Sequence, residues 1–150
     1  MGLTGKLEVD VELKASGDQF YKIFSNQVHK MPNASGRIQS VDLHEGDWEN
    51  PGSIKLWTYI IDGKTEVFKE RVHFDDKDKC IIMDGVEGHV LEKYKKYKGI
   101  FQVINKEKGG LVKLTLEYEK HKEADEPPNQ YLDFVAGLIR DIDDHLVKDA

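Results

Sequence analysis

Cysteine, proline, net positive charge and long apolar runs are all scarce in this chain, and each scarcity excludes something. One thiol, Cys80, cannot form an intrachain disulfide, so the fold rests on its core. A lone thiol in "KCIIM" reads as a small hydrophobe in a strand, and a reduced, cytoplasmic setting is the expectation. No stretch reaches the roughly 20 apolar residues of a membrane span, so no stable membrane insertion is expected. The opening "MGLTGKLEVDVEL" has no apolar centre of the kind a secretory leader needs. With 22 basic against 28 acidic side chains, the net charge is −6. That opposes binding to nucleic acid, which needs a basic face. The only basic run is "EKYKKYKGIF" at 92–101.

Motifs of common chemistry are missing too. The six histidines show neither H-x-x-x-H nor H-E-x-x-H spacing, so no metal site is expected. There is no G-x-S-x-G and no cysteine–histidine signature, so no catalytic residue and no cofactor are assigned. "EGDWENPGSIK", residues 45–55, has two glycines but is no phosphate loop. Ser53 stands where a phosphate loop would place lysine, and the segment after it, "SIKLWTYII", has the pattern of a strand and not of a helix. Pro51-Gly52 suits the centre of a type II turn. Residues 45–55 therefore read as a strand connection, and as a rim or lid over a nearby pocket.

What is present is periodicity. The 150 residues fit one domain, 1–150, able to bury about 70% of its unfolded surface. "LEVDVEL" alternates, with Leu7, Val9, Val11 and Leu13 on one face. "SGDQFYKIF" changes to helical spacing, capped by Ser16 or Asp18. A second short helix is expected in "NQVHKM", ended by Pro32. Strands are expected at 36–45, 53–61, 65–74, 80–86, 90–104 and 111–120, with Asp62-Gly63 as a hairpin turn. A long helix spans about 129–148, its acids "RDIDDHLVKD" opposing the helix dipole. This order gives an α+β fold: a seven-stranded antiparallel sheet curled around a long C-terminal helix, with two short helices after the first strand.

A curled sheet that fails to close on its helix leaves a cavity, and its wall is the candidate site. Trp57 and Tyr59 share one face of their strand, while Ile54, Leu56 and Ile60 share the other; both faces are apolar, which leaves the inward one open. Tyr94, Tyr97 and Phe101 lie on the tyrosine-rich strand, with Val67 on the strand at 65–74 and Ile81 and Met83 on that at 80–86. Phe20 and Phe24 come from the first helix; Tyr131, Phe134, Val135 and Leu138 come from the last. Apolar walls with tyrosine handles suit a small-molecule pocket. Glu70 is a candidate inward carboxylate on that wall, and Glu92 is a second. Gly137 in mid-helix costs about 1 kcal/mol relative to alanine, which a close approach or room for a ligand would explain.

The stretches "GLTGKLEVDVELKA", "GSIKLWTYIIDGKTEVFKERV", "LEKYKKYKG" and "LEYEK" together resemble the plant major latex proteins, a branch of the birch-pollen-allergen or pathogenesis-related class ten superfamily. The resemblance runs nearly end to end. It implies a helix-grip, START-like fold around a large cavity for hydrophobic molecules such as sterols, hormones or secondary metabolites, and a link to defence or stress. Some relatives are ribonucleases or alkaloid-forming enzymes. Glu92 matches one ribonuclease glutamate, but Asp143 and His145 stand where a glutamate and a tyrosine would be. The expected partner is thus a hydrophobic small molecule, entering near the 45–53 loop and the first short helices. The expected state is a monomer, with a weak dimer as the alternative. An isomerase or condensing enzyme of specialised metabolism, using the same cavity, is the second reading.

Overall fold

A computed structural model describes residues 2–148. The domain expected over 1–150 runs past the described residues at Met1, Asp149 and Ala150.

Strand β1 (Thr4–Leu13) leads into helix α1 (Gly17–Asn26), a 3-10 turn (Val28–Lys30) and the short helix α2 (Met31–Ala34). Ser16 is the N-cap: its Oγ accepts the Gln19 amide at 3.1 Å, and the Gln19 side chain accepts the Ser16 amide at 3.2 Å. Pro32 does not end a helix as expected. It sits in the first turn of α2, where the missing N–H costs nothing.

Strands β2 (Ile38–Glu45), β3 (Ile54–Ile61), β4 (Lys64–Asp75), β5 (Cys80–Gly88), β6 (Tyr94–Asn105) and β7 (Gly110–Lys120) then run in meander, with helix α3 (Val90–Lys93) before β6. All pairs are antiparallel in the order β1-β7-β6-β5-β4-β3-β2. The β3–β4 hairpin closes with Ile61 opposite Lys64, and both Asp62 (φ 52°) and Gly63 (φ 74°) are left-handed, as a type I′ turn demands. The pattern of "VLEKYKKYKGIFQVI" predicts strand throughout, but its first four residues form α3. The chain has to change direction there: Gly88 takes φ 134°, and the His89 ring accepts the Val67 amide at 3.1 Å.

Helix α4 (Asn129–Lys148) lies against β1, α1 and α2, burying Tyr131, Phe134, Leu138, Ile139 and Ile142. Among the described residues, three of its unfavourably placed acids, Asp141, Asp143 and Asp144, each have a partner across the fold. Asp141 accepts from the Ser35 hydroxyl at 2.5 Å and Arg37 Nε at 3.0 Å. Asp143, 3% exposed, accepts the amides of Lys14 and Ala15, each at 2.9 Å. Asp144 pairs with Lys14 Nζ at 2.6 Å. Gly137 is explained by the first of these contacts. A Cβ there would stand 2.6 Å from Arg37 Cζ, so glycine leaves the path by which the guanidinium reaches Asp141. Space for a ligand is not the reason.

The 45–55 connection is held by ordinary turn chemistry. The Asp47 carboxylate accepts the amides of Glu49 and Asn50 at 2.9 and 2.8 Å, and Gly52 has φ 88°, as the second central residue of a type II turn requires.

Candidate ligand chamber

Alternation along each strand decides what faces α4. On β3 the odd positions turn inward: Trp57 and Tyr59 are each 5% exposed, whereas Ile60 is 37% exposed. That settles the face the sequence left open. On β4 the even positions turn inward, bringing Glu66, Phe68 and Glu70 to the core side. Val67 therefore sits on the opposite face, and its expected place on the wall is corrected by this one-residue phase.

Between the sheet and α4 lies a chamber. Its wall takes Phe24 from α1, Trp57 and Tyr59 from β3, Met83 from β5, Tyr97 and Phe101 from β6, and Tyr131, Phe134, Val135 and Leu138 from α4. Ile38, Phe68, Val90, Gly99 and Leu116 complete it. The gaps between atoms total about 610 Å³, partly open to solvent, of which about 70 Å³ admits the centre of a water molecule. This is narrower than the large cavity the resemblance implies, because aromatic rings project into it; Tyr59 and Phe134 stand 5.2 Å apart between centroids.

The remaining expected residues lie off the wall. Phe20 stacks behind Phe24 at 4.6 Å. Ile81 is fully buried in the core. Tyr94 gives its hydroxyl to the Glu126 carbonyl at 2.8 Å. Glu92 is exposed, and Glu70 lies behind Trp57, whose Nε1 donates to Glu70 Oε1 at 2.8 Å. Within "KYKK", Lys95 is exposed and pairs with Glu119 of β7 at 3.6 Å, whereas Lys93 turns toward Glu66 and Tyr131.

Two polar groups flank this apolar wall, and each contains a residue that the sequence pattern does not single out. At one end Glu66 Oε1 accepts the hydroxyls of Tyr131 at 2.8 Å and Tyr59 at 3.2 Å, with Lys93 Nζ 3.8 Å from Oε2. Burial first, then the Glu66 charge, pushes the Tyr59 hydroxyl well above the ordinary phenol range; burial and the Glu66 bond do the same to Tyr131. Both tyrosines thus stay neutral, with hydroxyls turned to Glu66 and rings turned to the chamber. At the other end Lys55, 1% exposed, stands opposite Glu70, which is fully buried. Burial pushes the Glu70 carboxyl up to about 7, opposed by the Trp57 bond and the Lys55 charge; burial also lowers Lys55. One signal marks both, the strand phase: Lys55 is in step with Trp57 and Tyr59, and Glu66 with Glu70.

The family model described as "Pathogenesis-related protein Bet v 1 family" matches residues 2–149. MLP-like protein 328 of Arabidopsis thaliana is 41% identical over 150 residues, covering 99% of each chain. The crystal structure of major latex-like protein 151 from Panax ginseng superposes with a TM-score of 0.92 at 38% identity, covering 96% of this chain and 98% of that one. Norcoclaurine synthase from Thalictrum flavum, solved with dopamine and hydroxybenzaldehyde, shares the fold at a TM-score of 0.79 and 18% identity, covering 98% and 88%. Among the described residues no helix is long and apolar enough to cross a membrane.

Proposed function

Because this chain belongs to the pathogenesis-related Bet v 1 family, we propose that it binds a hydrophobic small molecule in the chamber and acts as its carrier or sensor. A sterol, hormone or secondary metabolite fits this reading, in the setting of plant defence or stress. The observation that supports it is the wall itself. Side chains from the concave face of the sheet, α1 and α4 converge on one space and present carbon to it. Burying an apolar ligand there is worth about 25 cal/mol per Å² before ordering losses.

The narrowness of the chamber adds a condition: the ligand opens it. Met83, unbranched and adaptable, and the half-buried Val135 on α4 are the side chains that yield most easily. Entry is placed near the 45–53 loop and the first short helices. The working unit is taken as a monomer, since the exposed large hydrophobics Ile60, Val86, Ile104 and Val147 are scattered through β3, β5, β6 and α4. The single cysteine supports a reducing cytoplasmic setting.

Gly99 offers the direct test. A Cβ there would meet Phe101 at 3.5 Å and Leu116 at 3.8 Å, ordinary contact distances, so an alanine methyl fits and projects into the chamber. Gly99→Ala is expected to keep or raise the thermal midpoint and to weaken binding of N-phenyl-1-naphthylamine several-fold. Unchanged affinity in a folded variant would place the probe elsewhere and refute the chamber as the site.

The second reading is an enzyme of specialised metabolism, an isomerase or condensing enzyme. It draws on the Glu66–Tyr59–Tyr131 group with Lys93 beside it, an acid–base set at the chamber wall. The carrier reading is preferred because both phenolic hydroxyls are committed to Glu66 and turned from the space a substrate would fill.

A further inference from the structure

Resting on the chamber reading, we propose that Lys55 and Glu70 form a polar socket that takes the hydroxyl group of an otherwise apolar ligand lying against Trp57. Two unmet hydrogen-bonding capacities carry this. Glu70 Oε2 is the one buried side-chain polar atom without a partner among the described residues, and its residue is fully buried. Leaving such an atom unpaired costs about 1–3 kcal/mol, so a donor that reaches it is strongly favoured. Lys55 is nearly as deep, yet no ion pair within 4 Å joins it to Glu70 or to any other described acid. Its ammonium reaches only the Trp48 carbonyl, at a long 3.5 Å, and the Trp48 ring, 5.7 Å to the centroid. An ammonium has three protons to give.

Cross-strand pairing puts the two side chains opposite each other on the inward face of β3 and β4. What is missing between them is a group that both accepts from an ammonium and donates to a carboxylate oxygen. A hydroxyl does both with one atom. An ether or ketone can only accept, and leaves Oε2 unpaired. The socket borders the chamber through Trp57, whose ring is part of the wall and whose N–H holds Glu70 Oε1 at 2.8 Å. That bond also fixes which carboxylate oxygen is free. The ligand class is therefore an alcohol or phenol on an apolar skeleton, its ring or chain against Trp57 and its hydroxyl beyond the indole edge.

Three small probes separate the outcomes by calorimetry: 2-naphthol, 2-methoxynaphthalene and 2-acetylnaphthalene. At pH 8, where the Glu70 carboxyl is ionised, the wild-type protein is expected to bind 2-naphthol about fivefold tighter than either of the others, the factor that corresponds to about 1 kcal/mol for one net hydrogen bond. Glu70→Gln is the informative variant, because it keeps the shape and the Trp57 contact. The indole N–H holds the amide carbonyl, so the NH₂ replaces Oε2 and the socket becomes all donor. The order is then expected to invert, with 2-acetylnaphthalene above 2-naphthol. A naphthol preference that survives in Glu70→Gln would overturn the socket. So would equal binding of all three by wild type, which would mean that water alone fills the gap while the chamber reading stands. Failure of all three to bind wild type would remove the chamber reading and the socket together.

Discussion

Asp143→Ala is expected to lower the thermal midpoint by about 10 °C. The carboxylate of Asp143, 3% exposed on α4, accepts the amide of Lys14 at 2.9 and 3.1 Å and the amide of Ala15 at 2.9 Å. These amides lie where β1 ends and the chain turns into α1. No strand partner or helix turn takes them, so alanine leaves both without an acceptor inside the protein. Each such donor costs about 1–3 kcal/mol; a total of about 3 kcal/mol, at 2–4 °C per kcal/mol for a domain of this size, gives the shift. Asp143→Asn keeps one carbonyl oxygen and is expected to lose about half as much. Circular dichroism melts of the three proteins check this. A shift under about 2 °C for alanine would mean that the contact does not tether α4 to the sheet.

The second large effect depends on pH. Burial pushes the Glu70 carboxyl up from 4.5 to about 7 in the fold, against the opposing pull of the Trp57 bond and the Lys55 charge. A carboxyl with a raised folded-state value stabilises the protein relative to its ionised form at low pH. That contribution is complete below 4.5 and is lost as pH rises through about 7. The whole loss amounts to about 3 kcal/mol at 1.36 kcal/mol per pH unit. Glutamine cannot ionise, so Glu70→Gln is expected to gain up to about 3 kcal/mol relative to wild type between pH 5 and pH 8. Urea denaturation at the two values reads the difference directly. Parallel behaviour of the two proteins would show that Glu70 does not carry a buried charge across that range.

Much of this architecture is legible in the residues. Strict alternation in "LEVDVEL" and "LVKLTLEYEK", the Asp62-Gly63 turn and the apolar stripe of α4 each identify one element by local physics alone. The cap of α1 narrows in the residues to Ser16 or Asp18, and the fold takes Ser16, with Gln19 three residues on completing the capping box. Phase is harder. On β3 both faces are apolar, so only the assembled sheet distinguishes Trp57 and Tyr59 inside from Ile60 outside. The same ambiguity on β4 misplaces Val67 and hides Glu66, since an inward carboxylate looks like an outward one until its tyrosine partners arrive from β3 and α4. Lys55 is hidden for that reason too: it is in phase with Trp57 and Tyr59, but which face of that strand turns inward is open until the sheet is assembled. Pro32 misleads because proline ends one helix and begins another with equal ease, depending on which turn it occupies. The width of the chamber is set by how rings from separate elements meet, such as Tyr59 and Phe134, and no linear pattern encodes that.

The most direct test is a methyl NMR titration with N-phenyl-1-naphthylamine. A ligand that opens the space between sheet and α4 should give intermolecular nuclear Overhauser effects to the methyls of Met83, Leu116 and Leu138, at one probe per chain. Contacts confined to surface methyls such as those of Val86 and Ile104, or no saturable binding, would contradict a ligand chamber in this protein.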